Sequence, residues 1–82
     1  MKNLWLFHEK RIAILRELAR CDRTRGCDIK DCLRMKKALL SYHLGILRDR
    51  GIVAERRDGR EKYYGIRPQR RRLVNEILRV VG

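Results

Sequence analysis

The segment KKALLSYHLGILRDRG, residues 36–51, combines a leucine ridge with polar side chains that can bind the edges of DNA bases. Leu40, Leu44 and Leu47 recur at helical spacing and are expected to face a core. The first turns of this helix would then expose Lys36, Lys37, Ala38, Ser41 and Tyr42. Lysine can donate to guanine, serine can bond base or phosphate, and an alanine methyl can contact a thymine methyl. The pattern predicts a DNA-reading helix, and the simpler alternative is an ordinary solvated face.

A second group of cations surrounds the dipeptide Asp58-Gly59, between two strand-like stretches. Its members are Arg56, Arg57, Arg60 and Lys62. A narrow hairpin tip can approach the minor groove, where arginine responds to groove width and negative potential. The strongest candidates are Arg57 and Arg60, because phosphate would relieve their mutual repulsion in the free protein. The alternative is a charged hairpin that only keeps the protein in solution.

The overall charge agrees with a polyanionic partner. The 82 residues include 22 Lys+Arg and 10 Asp+Glu, which gives a net charge of +12. Nucleic acid is the simplest such partner, because each neutralised phosphate releases a condensed counterion, and double-stranded DNA is the partner we predict. The alternative is the charged surface of a thermophilic protein, which would normally mix both signs. Three further basic residues, Lys30, Arg34 and Arg48, could contact the DNA backbone and add affinity without sequence choice.

Several functional classes are not expected from this sequence. No stretch approaches the ~20 apolar residues of a membrane span, and the N-terminal apolar run is shorter than the roughly 7–15 residues of a secretory signal. The protein is therefore expected to be cytoplasmic, without a membrane partner. Ser41 and His43 are two positions apart and would point in different directions on a helix, so they cannot form a nucleophile–base pair. The sequence predicts no enzyme, no cofactor and no small-molecule substrate.

Apolar periodicity places these segments among three helices. The first is predicted over residues 7–19, and the polar stretch over residues 21–26 follows as a break with its final glycine as a turn residue. Asp28 is expected to cap a short second helix of sequence IKDCLR. The third helix should run over residues 37–50 and stop at Gly51.

A hairpin and a last helix are predicted after the third helix. Asp58-Gly59 is a strong signal for a two-residue turn. Such a turn opposes Glu55 to Lys62, Arg56 to Glu61 and Arg57 to Arg60, and two of these three pairs have opposite charges. Pro68 can then open a helix over residues 68–82.

The predicted order is helix, helix, helix, hairpin, helix in a single domain over residues 1–82. This is a mainly helical (α+β) fold with a small β-hairpin, and a tight helix pair followed by a charged hairpin is typical of a winged helix-turn-helix. Within it, His43 is expected to be packed and hydrogen-bonded rather than a ligand. One of Tyr63 and Tyr64 is expected to pack under the hairpin, since they alternate across the strand.

Residues 28–66 resemble, without a gap, the DNA-binding core of ArsR-type winged-helix transcription regulators. The most specific motifs are S-x-H-L-x-x-L at residues 41–47, G-I-V at residues 51–53 and R-x-G-R-x-x-Y-Y at residues 57–64. The resemblance implies a symmetric dimer that represses or activates transcription at a short inverted repeat. The family usually has glycine where this chain has Arg34. Because arginine tolerates a left-handed backbone poorly, the helix-to-helix turn is expected to be altered.

A dimer of this kind needs an apolar face, and the last helix offers one. Its stripe consists of Leu73, Val74, Ile77, Leu78 and Val81, and the interface could be completed by Leu4, Trp5 and Phe7. A helix at a chain end suits a two-fold interface in which both copies use the same surface. The alternatives are that the stripe folds back on the first helix and that the N-terminal residues belong to a local core. Two-fold symmetry would place two recognition helices about one DNA turn, ~34 Å, apart.

The remaining residues with metal or redox chemistry are Cys21, Cys27 and Cys32. ArsR-type sensors often bind thiophilic metals near the start of this second helix; Cys27 matches one position of the family's cysteine pair, and the other falls on Arg25. Spacings of six and five residues also differ from the close pairs of structural zinc sites. We therefore predict no metal site, and Cys32 is expected in the core. The alternatives are a repressor that senses metal or redox state through Cys21 or Cys27, and a non-catalytic winged-helix adaptor for protein or structured RNA.

Overall fold

The computed structural model describes residues 8–21 and 23–81, and this part of the chain contains four α-helices and a three-stranded antiparallel sheet. The elements are α1 (Glu9–Arg20), β1 (Thr24–Arg25), α2 (Gly26–Leu33), α3 (Lys37–Asp49), β2 (Val53–Asp58), β3 (Glu61–Ile66), a 3₁₀ turn (Pro68–Arg70) and α4 (Arg71–Val81). The predicted order of three helices, a hairpin and a last helix is confirmed. The hairpin of β2 and β3 is called the wing below.

Strand β1 is the main addition to the predicted fold. The sequence predicts a break over residues 21–26, whereas Thr24 and Arg25 pair with β3 and make it the central strand in the order β1-β3-β2. Helix α2 also begins earlier than predicted, at Gly26, so this glycine is not a turn residue. Asp28 therefore lies in the first turn of α2, where its carboxylate accepts hydrogen bonds from Arg25 instead of capping the helix.

The helices bury one apolar face each. In α1 that face consists of Ile14, Leu15 and Leu18, all fully buried. The helix begins after His8, whose Nδ1 accepts a hydrogen bond from the Lys10 amide at 3.1 Å and so satisfies one of the open amides of the first turn. No helix in residues 8–21 and 23–81 has both the length and the hydropathy needed to cross a membrane.

The turn between α2 and α3 contains a left-handed residue although the chain has arginine there. Arg34 adopts φ 52° and ψ 43°. The amides of Arg34 and Met35 donate to the carbonyls of Asp31 and Lys30, which satisfies two groups that the end of α2 leaves open. Met35 is buried by this path of the chain. The predicted alteration of the turn is therefore wrong: the left-handed turn is present, and Arg34 carries the strain.

Replacing Arg34 by glycine is expected to raise the free energy of unfolding by about 0.5–1 kcal/mol. A left-handed backbone costs a non-glycine residue about 1–2 kcal/mol, and the greater freedom of glycine in the unfolded chain offsets part of the gain. Urea denaturation measures the difference. Lys36→Gly is the matched control, because Lys36 has φ −68° and gains no relief. Equal effects of the two substitutions would contradict strain at Arg34.

The register of the wing differs from the predicted one. Its two turn residues are Gly59 and Arg60, so that Asp58 faces Glu61 at the tip. Only Gly59 in this turn has positive φ, 64°, as the first turn position of type II′ requires. A turn centred on Asp58-Gly59 would need positive φ at the aspartate as well.

The base of the wing is buried in this register. Val53 faces Ile66, and the two residues are 0% and 6% exposed. The predicted register differs by two residues and would leave the same side chains on each face, so the turn conformation at Gly59, and not burial, distinguishes the two. The like-charged residues Arg57 and Lys62 face each other as a result.

Helix α3 ends within a residue of the prediction. Its last residue is Asp49, and Gly51 follows with φ 76°. The predicted ridge of Leu40, Leu44 and Leu47 is 4%, 3% and 0% exposed. Because these leucines face the core, the orientation of the remaining side chains of α3 is determined.

Helix α4 folds back on α1 and buries part of the predicted dimer stripe. Val74 and Ile77 belong to the chain's own core, as the alternative interpretation predicts. Leu73 and Leu78 are partly buried against that core, and Val81 is 40% exposed. Of the five residues of the predicted stripe, Leu73, Leu78 and Val81 therefore retain surface that a second copy could cover. The other predicted interface residues, Leu4, Trp5 and Phe7, lie outside the described residues.

Candidate nucleic-acid interface

The first two turns of α3 present the predicted base-reading residues to solvent. The exposed residues are Lys36, Lys37, Ala38, Ser41 and Tyr42. Tyr42 keeps 58% of its side-chain surface, and Leu39 on the same side keeps 38%. Burial of the leucine ridge on the opposite side of α3 causes this exposure. The structure therefore brings all five predicted residues to one end of one helix.

The wing divides its basic residues between two faces. Arg57 and Lys62 face each other across the strands in the same alternation as buried Val53 and Ile66, on what we call the inner face. Arg56 alternates with them and faces Tyr63 on the outer face. All four predicted wing cations are exposed, including Arg60 in the turn. The structure thus separates Arg56 from the other three.

The inner face of the wing and the start of α3 form the two walls of a notch of about 430 Å³. The basic residues that line the notch are Lys30, Lys37, Arg57, Arg60 and Lys62. Ser41 of α3 lines it as well, and Glu61 is the carboxylate among its described lining residues. Cations from α2, α3 and the wing therefore converge on one open concave surface, which is the arrangement that a phosphate backbone requires.

The three residues proposed for backbone contacts lie in different surroundings. Lys30 lines the notch and has its Nζ 3.6 Å from the Asp31 carboxylate. Arg34 is exposed at the turn before α3. Arg48 lies at the opposite end of α3 from Lys37. Only Lys30 is thus part of the surface that the wing and α3 share.

Arg48 joins the recognition helix to the wing. Its Nη1 donates to Glu55 at 3.1 Å and its Nε donates to Asp49 at 3.3 Å. These hydrogen bonds raise the pKa of Arg48 above its usual value. Glu55 also faces Tyr64, whose pKa is raised first by burial and then by this carboxylate. The contacts of Arg48 therefore connect the C-terminal end of α3 to strand β2 of the wing.

His43 is packed behind the exposed face of α3, as predicted. Its side chain is 2% exposed, and its Nδ1 accepts a hydrogen bond from Arg11 Nε at 3.3 Å. Its ring centroid is 4.8 Å from that of His8 and 5.1 Å from that of Tyr42. Burial, and then the charges of His8, Arg11 and Lys10, lower the pKa of His43.

Acidification through about pH 6.5 is expected to destabilise the fold through His43. Its folded pKa lies below the unfolded value of about 6.5, so the unfolded chain binds the additional proton first. The contribution of neutral His43 to the free energy of unfolding is fully present above the unfolded pKa and decreases as the pH falls towards the folded pKa. Urea denaturation between about pH 7.5 and 5.5, above the range of ordinary carboxylates, measures the slope. His43→Gln should flatten it, and an unchanged slope would assign the titration to another group.

The cysteines carry free, exposed thiols. The prediction that Cys32 lies in the core is wrong, because its helix buries Ile29 and leaves Cys32 at the edge, beside α1. A hydrogen bond with Glu17 and partial desolvation raise the pKa of the Cys32 thiol. Cys27 lies in the notch, with Sγ 3.9 Å from Glu61 Oε2. Within residues 8–21 and 23–81, no group of three or more His, Cys, Asp or Glu could hold a metal ion.

Arg23 contacts the wing, which the sequence did not indicate. Its guanidinium lies 4.0 Å from the centre of the Tyr63 ring, over its face, and its Nη2 is 3.4 Å from Asp58 Oδ2. Both partners belong to the wing and are distant in sequence. No local pattern could therefore have predicted these contacts.

Comparison with known proteins identifies this arrangement. Residues 8–55 match the family model described as bacterial regulatory protein, arsR family. The chain belongs to the ArsR family. It is therefore a transcriptional regulator of the winged helix-turn-helix type, and the resemblance noted in its sequence is confirmed. Proteins of such a family are typically not enzymes.

Two curated relatives are similar to most of this ArsR-family chain. The arsenical resistance operon repressor of Bacillus subtilis is 32% identical over 73 residues, which are 89% of this chain and 67% of the relative. An uncharacterised HTH-type transcriptional regulator of Mycobacterium tuberculosis is 41% identical over 61 residues, which are 74% of this chain and 54% of the relative. The chain thus spans about half to two thirds of the length of these relatives.

A solved structure supports the fold. It is the homodimeric winged helix-turn-helix DNA-binding domain of a possible ArsR-family transcriptional regulator from Mycobacterium bovis, determined by NMR. The TM-score is 0.83 at 28% identity, over 93% of this chain and 70% of that one. The winged-helix architecture predicted from the sequence is therefore confirmed.

Proposed function

We propose that this ArsR-family chain binds double-stranded DNA sequence-specifically as a homodimer, with α3 in the major groove and the wing on the minor groove or the backbone. The observation that supports this proposal is the notch between α3 and the wing. Its walls carry Lys37 and Ser41 on one side and Arg57, Arg60 and Lys62 on the other. A helix with an exposed polar start beside a basic hairpin matches the way winged-helix and helix-turn-helix proteins dock on a duplex.

The two walls of the notch would have different roles. Lys37 and Ser41 would contact base edges, with Ala38 against a thymine methyl, and such contacts carry sequence choice. Tyr42 would contact phosphate or sugar at the edge of the groove. The wing cations would neutralise phosphates or enter the minor groove, which adds affinity and orientation. Lys36, directly before α3, would add a further backbone or base contact.

The homodimer is supported by two observations. The M. bovis domain similar to this chain is described as homodimeric. In this chain α4 leaves apolar surface on Leu73, Leu78 and Val81, and Val80 beside them is 78% exposed. These residues would form the centre of a two-fold interface, which Leu4, Trp5 and Phe7 could extend. Two recognition helices would then lie about one DNA turn, ~34 Å, apart.

Selection of bound duplexes from a random pool tests the proposal. We expect an inverted repeat among the selected sequences and a preference of roughly 10³-fold or more over bulk DNA. Lys37→Gln and Ser41→Ala should change the selected bases, because they remove base contacts while leaving the wing intact. An absence of sequence preference, or stronger binding to structured RNA than to any duplex, would reject the proposal in favour of a winged-helix adaptor.

Thiophilic metals are expected to leave the DNA affinity unchanged. The position at which the family's second cysteine would fall is Arg25, whose guanidinium donates two hydrogen bonds to the Asp28 carboxylate, at 3.0 and 3.2 Å. Repeating the duplex binding measurement with zinc, cadmium or arsenite checks this expectation. A change in affinity that disappears in Cys27→Ser would instead establish a thiol-dependent sensor.

A further inference from the structure

The tip of the wing carries two carboxylates among its cations. Asp58 and Glu61 face each other as the last cross-strand pair, beside Arg57 and Arg60. Like charges directly opposite each other destabilise a strand pair. A free carboxylate at this position would also repel the phosphates that the neighbouring arginines are proposed to bind. The Asp58 side chain is 73% exposed, so the core does not screen its charge.

Arg23 approaches this carboxylate from outside the wing. It precedes β1, and its Nη2 lies 3.4 Å from Asp58 Oδ2. The same guanidinium lies 4.0 Å from the Tyr63 ring centroid, over the outer face of the wing. Strand β1 pairs with β3 through Arg25 and Tyr63, which anchors the segment that carries Arg23. One side chain therefore contacts both strands of the wing from a separate element.

We infer that Arg23 is a positioning residue that orients the wing for DNA and neutralises Asp58. The inference rests on the proposed DNA-binding function and deepens it. The Tyr63 ring holds the guanidinium by a cation–π contact, and the guanidinium draws the Asp58 carboxylate towards the outer face. Arg57 and Lys62 on the inner face, and Arg60 in the turn, then present positive charge to the duplex without competition from Asp58, which leaves Glu61 as the carboxylate among the described residues of the notch. Arg23 acts through Asp58 and does not itself contact phosphate.

Arg23→Gln is expected to weaken binding to every duplex by roughly three- to tenfold, which lies within the range of about three- to thirtyfold that a cation–π contact and an exposed ion pair can together contribute. Arg23→Lys keeps the charge beside Asp58 and should recover most of the loss. Asp58→Asn should bind at least as tightly as the wild type. In the Asp58→Asn background, Arg23→Gln should cause a smaller loss, because only the contact with the Tyr63 ring is then removed.

A direct phosphate contact by Arg23 would give a different result. Arg23→Gln would then lower the affinity by the same factor in both backgrounds and would reduce the slope of log affinity against log salt by about one per protomer. That outcome would overturn the inference. As a second measurement, the NMR order parameter of the Gly59 amide should fall in Arg23→Gln if the tether orients the tip, and an unchanged value would count against it.

The matched control is Arg20→Gln. Arg20 also forms an exposed ion pair at 3.4 Å, with Glu17 on α1, and it does not contact the wing. Urea denaturation should show that both variants are fully folded under the binding conditions, with a free energy of unfolding lowered by no more than about 2 kcal/mol. If the wild-type protein binds duplexes and Arg23→Gln behaves like Arg20→Gln, this inference fails while the proposed function stands. If the wild-type protein binds no duplex at all, the proposed function itself fails.

Discussion

Replacing Arg57 and Arg60 together by glutamine is expected to weaken binding to all duplexes by at least about tenfold at physiological salt. The slope of log affinity against log salt should become shallower by about two per protomer, and so by about four for the proposed dimer, because each lost phosphate contact removes about 0.9 of a released counterion. Arg60 occupies the turn and Arg57 faces Lys62 on the inner face, and all three line the notch. Phosphate would relieve the repulsion between Arg57 and Lys62, so the contact should be stronger than that of an isolated cation.

Fluorescence anisotropy with labelled duplexes over a range of salt concentrations measures both quantities. The control is the pair Arg16→Gln and Arg20→Gln, which removes the same charge from exposed positions on α1. If the control lowers the slope equally, the effect comes from net charge and not from the wing. An unchanged slope in the wing variant would show that Arg57 and Arg60 do not contact DNA phosphates. Sequence preference should be retained in the wing variant, in contrast to Lys37→Gln.

Leu47→Ala is expected to lower the free energy of unfolding by about 3–4 kcal/mol. Leu47 is fully buried in the core, and deleting a buried leucine side chain costs the transfer free energy plus that of the cavity left behind. An 82-residue domain has a total stability of roughly 4–12 kcal/mol, so this single change removes a large part of it. Since Leu47 also determines which side of α3 faces solvent, DNA affinity should fall with the folded fraction.

Leu39→Ala is the matched control on the same helix. Leu39 is 38% exposed and lies on the solvent side of α3, so its truncation should cost less than about 1 kcal/mol. Urea denaturation followed by circular dichroism gives both values. If the two substitutions cost the same, the leucine ridge does not anchor α3, and the exposed face proposed to read DNA would no longer be defined by the core.

The elements of this fold were predictable where local signals agree. Helix α3 has regular leucines, a glycine at its end and no competing pattern, and its predicted bounds are correct within a residue. Strand β1 has two residues and no periodicity, and it exists only because β3 lies beside it. The wing register was predicted wrongly because Asp58-Gly59 is a strong local signal for a two-residue turn, whereas the chain turns at Gly59-Arg60 with positive φ at the glycine alone.

The candidate site shows the same division. The exposure of Lys37 and Ser41 follows from the leucine spacing of one helix, so the sequence was sufficient for it. The sorting of Arg56 to the outer face, away from Arg57, depends on the strand alternation once the base of the wing is buried. The attachment of Arg48 to Glu55 depends on how α3 packs against β2. Contacts between side chains on elements that are distant in sequence could not be predicted from the sequence.

Sequence alone determined the family and the net charge. It also determined that the first turns of α3 expose polar side chains, because helical spacing and turn residues act between near neighbours in the chain. Tertiary structure decided which cations share the notch, which arginine joins the recognition helix to the wing, and that Arg23 reaches Asp58. These contacts connect elements far apart in sequence. Their formation depends on burial of apolar side chains such as Val53 and Ile66, which are paired only in the folded core.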